Sequence, residues 1–207
     1  MSGPKTFDHL RQIELTSLQH QVMLGCMLGD GGVYKREKNA TWSSFIGHSI
    51  EQKEYFLWKF EVFRPFFNCY RTYTRKSGSV ELCSDSICHP EFSKYGRLWY
   101  IDVFDGKKRR KKIVPYKLDI TPLTLAVWIM DDGKRSGGST RIELCSCDFS
   151  IEENNRLRYI LNETYGLQSK IRYDRKYPLI SFTSSSSVQL SNIVRPHIIK
   201  SMEYKIF

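Results

Sequence analysis

Apolar runs and alternating apolar–polar segments predict the same order of elements twice along the chain. Each half opens with an apolar helix, at residues 16–29 in the first half and from residue 121 in the second. Strand-like segments, a helix with apolar residues at helical spacing, a hairpin and a closing helix follow in both halves. The pattern therefore predicts two αββαββα repeats and an α+β fold.

The other predicted segments have approximate bounds. In the first half they are strands at 33–36 and 42–50, a helix at 51–66, a hairpin from 68 that returns through 80–83, and a helix at 90–99. In the second half they are strands around 139–147, a helix at 150–165, a hairpin from 168 that returns through 179–182, and a helix at 187–195. Residues 84–86 and 184–187 predict turns that lead into helices.

Capping residues support two of the helices in the second half. Thr121 is a predicted N-cap with Pro122 in the first helical position. Ser150 and Glu153 have the spacing of a capping box, and Gly166 is a predicted C′ residue for the same helix. These signals fix where the helices begin and end.

Both opening helices end in Asp-Gly, reading MLGCMLGDG at residues 23–31 and LAVWIMDDG at residues 125–133. A carboxylate at the end of an apolar helix is costly to bury, so it is expected to have a partner or a chemical role. Duplication would allow Asp30 and Asp132 to meet at a pseudo-twofold axis. Gly25 and Gly29 would let two helices pack closely, because they have no side chain.

Composition narrows the classes of partner. The 207-residue chain has 32 Lys and Arg against 22 Asp and Glu, for a net charge of +10, which favours a polyanionic partner. No apolar run approaches the roughly 20 residues that span a bilayer, and the first residues lack the apolar core of a secretory signal. A soluble, non-exported protein is expected.

The six cysteines form no Cys-x-x-Cys pair, which argues against zinc and favours free thiols.

A basic run separates the two halves. Residues 107–112 read KKRRKK, a composition typical of a flexible, exposed linker. We therefore predict an N-terminal repeat at 1–104, a linker at 105–120 and a C-terminal repeat at 121–207. Lys112-Ile113 near the end of the first part aligns with Lys205-Ile206 at the end of the second. Each half would thus deliver one lysine to the same central region.

With these features in place, the sequence resembles the LAGLIDADG homing endonucleases in their single-chain, two-motif form, and most of all the yeast mitochondrial intron-encoded type. The segment TPLTLAVWIMDDG at residues 121–133 is the more specific motif, and the first motif departs from the consensus in ending Leu28-Gly29-Asp30. The resemblance covers roughly residues 16–206. It implies that the motif helices pack at the centre and that the β-sheets form a DNA-binding saddle.

The resemblance also implies roles for individual residues. Asp30 and Asp132 would bind divalent cations, with backbone carbonyls of Gly29 and Asp131 completing the coordination. Asp131 competes with Asp132 for this role, and the register of the motif favours Asp132. Catalytic lysines near the metals map onto Lys112 and Lys205, which would stabilise developing charge or position waters.

The DNA-binding surface can be drafted from strand alternation and from the hairpin tips. Arginine on a major-groove strand can pair with guanine, whereas lysine more often holds phosphate. The two hairpin-tip lysines are expected to contact phosphate. The candidates are Lys35, Arg71, Tyr73, Arg75, Lys76, Lys134, Arg141, Lys170, Arg172, Arg175 and Lys176.

The function that this resemblance implies is site-specific hydrolysis of both strands of a long DNA duplex, leaving 3′ overhangs. Mg²⁺ would be the cofactor, Mn²⁺ would substitute, and Ca²⁺ would bind without efficient cleavage. The enzyme would be a monomer without a membrane or an obligate protein partner, located with its host genome in bacterial cytoplasm, mitochondrial matrix or chloroplast stroma. Two alternatives keep the fold: a maturase that binds intron RNA, alone or with nuclease activity, and a catalytically dead DNA-binding regulator. The five scattered histidines do not fit a His-Asn-His nuclease.

Overall fold

A threonine caps each of the two opening helices. The computed structural model describes residues 10–35, 41–137 and 140–207. Thr16 Oγ1 accepts a hydrogen bond from the Gln19 N–H. Thr121 Oγ1 accepts one from the Thr124 N–H, and Pro122 stands in the first turn. Each cap satisfies a backbone donor that no helical carbonyl can reach, so the helices begin close to where the sequence predicts.

The helices and strands follow the predicted order. The helices are α1 (Ser17–Leu28), α2 (Lys53–Val62), α3 (Pro90–Trp99), α4 (Pro122–Asp132), α5 (Ile151–Tyr165) and α6 (Ser184–Val194). The strands are β1 (Gly32–Tyr34), β2 (Ser43–Ser49), β3 (Arg71–Thr74), β4 (Val80–Asp85), β5 (Tyr100–Phe104), β6 (Lys108–Lys112), β7 (Gly133–Arg135), β8 (Ile142–Cys145), β9 (Ser169–Asp174) and β10 (Tyr177–Phe182). With β5 and β6 set aside, the described residues form two αββαββα repeats, as predicted.

Two four-stranded antiparallel sheets share one topology. Their strand orders are β1-β2-β4-β3 and β7-β8-β10-β9. In the second sheet the register pairs Leu144 with Ile180, and both side chains are fully buried. Successive side chains of a strand point to opposite faces, so the paired residues Glu143 and Ser181 lie on the other face of this sheet, and Tyr73 pairs with Glu81 in the first sheet. Each sheet therefore carries polar side chains on one of its faces.

The described residues group into two compact units. One lies within Met1–His20 and Gly31–Leu98, and the other consists of Gln21–Asp30 and Trp99–Phe207. Aromatic side chains dominate the core of the first unit. In the second unit α4 is buried at every position over residues 123–131. A helix that is apolar on nearly all sides belongs inside a core, so the second unit is built around α4.

The basic segment that was predicted to be a linker is in part a strand. β6 pairs with β5 from Tyr100↔Lys112 to Phe104↔Lys108. The prediction of a flexible linker over residues 105–120 is therefore wrong for residues 108–112, which form β6. A run of lysine and arginine has low strand propensity, but cross-strand pairing with a preceding aromatic and β-branched segment overrides that preference. The division into repeats at 1–104 and 121–207 stays a prediction.

Several predicted bounds also change. Residues 84 and 85 belong to β4, and residues 184–187 form the first turn of α6 rather than a separate turn. Thr183 caps that helix, and Ser187 Oγ donates back to the Thr183 carbonyl, which makes serine acceptable there. α2 ends at Val62, short of Pro65, because proline disfavours helix in the residue before it. β7 continues directly from α4 and was not predicted. The predicted strand ends Arg36 and Ser139 lie outside the described residues.

Two further observations concern the whole described chain. All six cysteines are free thiols, as the sequence suggests. Among residues 10–35, 41–137 and 140–207, none of the helices is long and apolar enough to cross a membrane.

Glu153 ties the start of α5 to the chain that follows β6. Its Oε1 accepts a hydrogen bond from the Val114 N–H at 2.8 Å, and its Oε2 accepts one from the Ser150 N–H at 2.7 Å. In turn, the Ser150 Oγ accepts a hydrogen bond from the Glu153 N–H. The predicted capping box is therefore present. Burial raises the pKa of the Glu153 carboxyl, but the bonds from Ser150 and Val114 outweigh burial and the pKa is lowered overall.

Replacing Glu153 with glutamine is expected to lower the free energy of unfolding by about 1–2 kcal/mol near pH 7, because the amide nitrogen would replace one of the two acceptor oxygens and leave one backbone N–H without its partner. The folded-state pKa lies below the unfolded value of about 4.3. The stabilisation is therefore present above that pH and is lost as pH falls through the folded value. Urea unfolding of both proteins over this range measures the difference. An equal loss from the exposed neighbour, Glu152→Gln, would contradict the assignment.

Candidate active site

The second half of α1 packs closely against α4. A Cβ added at Gly25 would lie 2.5 Å from Val127 Cβ and 2.7 Å from the Thr124 carbonyl oxygen. One added at Gly29 would lie 2.5 Å from Asp131 Cβ. These distances are too short for any side chain, so the glycines permit the close helix crossing that the sequence predicts. The crossing brings the C-terminal ends of the two helices together.

Three carboxylates gather at these helix ends. Asp30 is exposed just after α1, whereas Asp131 and Asp132 are the last residues of α4, with Asp131 only 7% exposed. A carboxylate oxygen of Asp30 and one of Asp131 lie within 4.8 Å of each other. Burial raises the pKa of Asp132 to about 8; the negative charges of Asp30 and Asp131 add to the rise, and nearby lysines oppose it. Like charges this close favour a site that holds a cation.

Each helix end also receives a lysine. Lys112 Nζ donates to the Gly29 carbonyl at 3.3 Å, and Lys205 Nζ donates to the Asp131 carbonyl at 2.8 Å. Each of these carbonyls belongs to the residue immediately before the last aspartate of its motif. The two lysines that the sequence aligns therefore occupy matching positions beside the two motif ends. A carbonyl oxygen has two lone pairs, so either one can accept a further ligand.

The lysine environment includes a carboxylate that sequence reasoning missed. Burial lowers the pKa of the Lys112 ammonium, while the negative charges of Asp148, Asp132 and Asp131 act in the opposite direction. Asp148 is exposed in the turn between β8 and α5. The sequence signal that could have identified Asp148 is an acidic residue between a predicted strand and a predicted capping box. Burial outweighs these carboxylates, so the pKa of Lys112 is lowered overall.

The polar face of the first sheet carries three of the predicted DNA-binding residues. Arg71 and Tyr73 share a face by strand alternation. Arg71 forms an ion pair with Asp85 at 2.7 Å, and Arg75, in the turn after β3, pairs with Glu81 at 2.7 Å. These acidic partners were not predictable, because they depend on the register between β3 and β4.

The second sheet repeats this arrangement. The register Lys134↔Glu143↔Ser181↔Lys170 places both lysines on the polar face. Arg172 lies on the same face and donates to Glu143 at 3.1 Å, and Lys134 approaches Asp174 at 3.3 Å. Each of Arg71, Arg75, Lys134 and Arg172 is therefore paired with a carboxylate of another strand.

The remaining predicted DNA contacts lie at strand ends and turns. Lys35 is exposed after β1, and Arg141 directly precedes β8. Lys76 and Lys176 are exposed at the hairpin tips, where Arg175 adopts a left-handed φ of 57°. Arg141 is half-buried, and the other four side chains are exposed.

Comparison with known proteins now identifies the family. The model of the LAGLIDADG DNA endonuclease family matches residues 20–190, which is most of the chain. The chain belongs to the LAGLIDADG DNA endonuclease family. The resemblance inferred from the two motifs is thereby confirmed.

Individual relatives agree with this placement. The chain is 32% identical over 206 residues to a Protein RecA of Mycolicibacterium flavescens, covering 93% of this chain and 47% of that protein. It is 29% identical over 198 residues to the cytochrome b mRNA maturase bI2 of Saccharomyces cerevisiae, covering 89% of this chain and 46% of that protein. The chain thus spans about half the length of these relatives.

A solved structure shares the fold. The homing endonuclease I-WcaI, bound to its DNA recognition sequence, superposes with a TM-score of 0.86 at 23% identity, covering 100% of this chain and 94% of the other. The α+β fold of two repeats is confirmed. In this LAGLIDADG protein, the acidic cluster and the two lysines therefore lie at the ends of the two motif helices.

Proposed function

We propose that the protein is a site-specific endonuclease that hydrolyses both strands of a long DNA duplex and leaves 3′ overhangs. One observation carries the proposal: each motif helix ends in an aspartate, and a lysine bonds the carbonyl just before it. Two strands require two nucleophilic waters and two leaving oxygens, and a duplicated site supplies both. Intron homing is the biological role that we propose for this activity.

The donor set at the helix ends fits a divalent metal. Asp30, Asp131 and Asp132 offer carboxylate oxygens, and their mutual repulsion contributes to the raised pKa of Asp132. Oxygen donors suit Mg²⁺, for which Mn²⁺ would substitute, whereas Ca²⁺ would bind without efficient cleavage. Asp30 and Asp132 would hold the metal, with the carbonyls of Gly29 and Asp131 as further ligands. When bound, the metal neutralises phosphate charge and acidifies a water.

The chain supplies the rest of the chemistry. Lys112 and Lys205 lie beside the two motif ends, where a positive charge would stabilise the pentacovalent transition state. The basic residues of the two sheet faces would bind the duplex, with arginines reading bases and the tip lysines holding phosphates. We propose a monomer that acts on double-stranded DNA in the compartment of its host genome.

This function can be tested on a linear DNA library with long randomised inserts. Wild-type protein in Mg²⁺ is expected to cut one long sequence, and sequencing of both ends would reveal a 3′ overhang. Parallel reactions in Mn²⁺, Ca²⁺ and EDTA test the metal, with cutting expected in Mn²⁺ and absent in EDTA. Blunt ends, or cutting in EDTA, would contradict the proposed chemistry.

Maturase activity is a second candidate, since a cytochrome b mRNA maturase is 29% identical over most of the chain. A protein can keep both aspartates and also assist splicing. Competition between the selected duplex and a structured intron RNA distinguishes the two roles. Tight RNA binding without DNA cleavage would favour the maturase, and both activities together would establish a dual-function protein.

Replacing Lys205 with methionine is expected to lower the single-turnover cleavage rate by about 100- to 1,000-fold, because a buried positive charge beside Asp131 is lost. DNA affinity should change by less than about threefold, since Lys205 is only 7% exposed. The exposed Lys200→Met, in the same short 3-10 helix, serves as the control. An equal effect from both variants would show that general charge, rather than the position of Lys205, supports cleavage.

A further inference from the structure

The β5–β6 hairpin presents a face that continues from the candidate active site. Residues directly opposite in an antiparallel pair share a face. The register Tyr100↔Lys112, Asp102↔Arg110 and Phe104↔Lys108 therefore places Lys108, Arg110 and Lys112 on one face. Arg109 and Lys111 occupy the other.

One end of this face is anchored beside the acidic cluster. Lys112 Nζ donates to the Gly29 carbonyl at 3.3 Å, next to Asp30. Alternate residues of a strand are about 6.7 Å apart, which is comparable to the step between phosphates along a nucleic-acid strand. Arg110 and Lys108 thus lie one and two such steps from Lys112, in a row that leads away from the site.

The row is charged and open to solvent. Lys108 and Arg110 side chains are 70% and 41% exposed, and both approach Asp102, at 2.9 Å and 3.8 Å. Lys108, and to a lesser extent Arg110, lowers the pKa of the Asp102 carboxyl. Exposed ion pairs of this kind contribute little stability, so a phosphate can replace Asp102. Phe104, 82% exposed at the end of this face, adds the aromatic surface typical of nucleic-acid contacts.

The basic side chains on the opposite face of the hairpin have different neighbours. Arg109 pairs with Asp105, within four residues of itself. Lys111 lies close enough to Glu153, at the start of α5, to influence its charge. The two faces have similar positive charge but different surroundings, which makes them a matched pair for experiment.

We propose that Lys108 and Arg110 bind successive phosphates of the DNA strand that continues from the cut site, and that Asp102 holds both cations when DNA is absent. This proposal rests on the proposed endonuclease function. It gives the hairpin a role in positioning the duplex over the motif ends. Charge complementarity and continuity with Lys112 favour a DNA backbone as the occupant.

The test compares two double variants of the full chain that change charge equally. Affinity for the duplex recovered by cleavage selection is measured by fluorescence anisotropy in Ca²⁺ over a range of salt. Lys108→Ala/Arg110→Ala should bind about tenfold more weakly, and the slope of log affinity against log salt should fall by about 1.8. Arg109→Ala/Lys111→Ala should stay within about twofold of wild type. Asp102→Asn should bind about two- to threefold more tightly.

Several results would overturn the hairpin proposal. They are equal weakening by both double variants, no weakening by either, or loss of intron RNA binding with DNA binding intact. Melting temperatures confirm that each variant is folded. If wild-type protein binds and cuts the duplex while the Lys108/Arg110 variant is unaffected, the hairpin proposal fails and the endonuclease stands. If wild-type protein neither binds nor cuts DNA, the proposed function itself fails.

Discussion

Replacing Gly25 with alanine is expected to lower the free energy of unfolding by about 3 kcal/mol, even though alanine is the better helix former by about 1 kcal/mol. The new Cβ would lie 2.5 Å from Val127 Cβ and 2.7 Å from the Thr124 carbonyl oxygen. Thr124 lies in the first turn of α4, and its backbone oxygen cannot move aside as a flexible side chain could, so α1 and α4 would have to separate. For a domain of this size the melting temperature should fall by roughly 6–12 °C.

A matched glycine substitution isolates this effect. A Cβ at Gly137 would meet no atom within 4 Å among the described residues. Gly137→Ala is therefore expected to leave the melting temperature within about 1–2 °C of wild type, in line with other surface substitutions. Thermal unfolding followed by circular dichroism compares the three proteins. A stabilised Gly25→Ala protein would show that the two motif helices do not pack as closely as described.

Asp30→Asn and Asp132→Asn are each expected to lower DNA cleavage by about 1,000-fold or more, because each removes a carboxylate that we assign to the metal. Binding of the same duplex in Ca²⁺ or EDTA should be retained, since asparagine adds no negative charge. Asp132→Asn should also leave the melting temperature unchanged or higher, because burial and the charges of Asp30 and Asp131 already disfavour the charged form of the Asp132 carboxyl. Single-turnover cleavage and anisotropy measure these effects separately.

The control for the aspartate variants is Asp119→Asn, an exposed carboxylate ahead of α4. It should cut at the wild-type rate. Cleavage by Asp132→Asn at a rate close to wild type would remove that carboxylate from the chemistry. In that case Asp131, whose side chain also lies within the cluster, would be the next candidate.

Local sequence signals predicted much of this fold because they act over a few residues. Thr121 and Pro122 start α4, and Ser150 with Glu153 starts α5, wherever the rest of the chain lies. Gly25 is a different case, since its contact with α4 spans the two repeats. The close approach was predictable because a glycine in an apolar helical run has no side chain to hold a second helix apart.

Features that depend on pairing between distant residues were not predictable. The β5–β6 hairpin required a partner strand for a basic run, and charge alone indicated a linker. The acidic partners of Arg71 and Arg172 depend on strand register, which one sequence does not determine. Asp148 lies in a turn whose direction the sequence pattern does not determine. Its effect on the pKa of Lys112 was therefore not predictable. The sequence therefore located the two aspartates and two lysines, but not the charges that surround them.

The most direct test of the endonuclease assignment is strand-resolved cleavage of one selected duplex, with the two strands carrying different labels. Wild-type protein in Mg²⁺ is expected to cut both strands at staggered positions, and Asp132→Asn at the same concentration is expected to bind the duplex without cutting it. Cleavage of both strands by Asp132→Asn at the wild-type rate would contradict the account. So would intact strands with both proteins, combined with tight binding to a structured intron RNA.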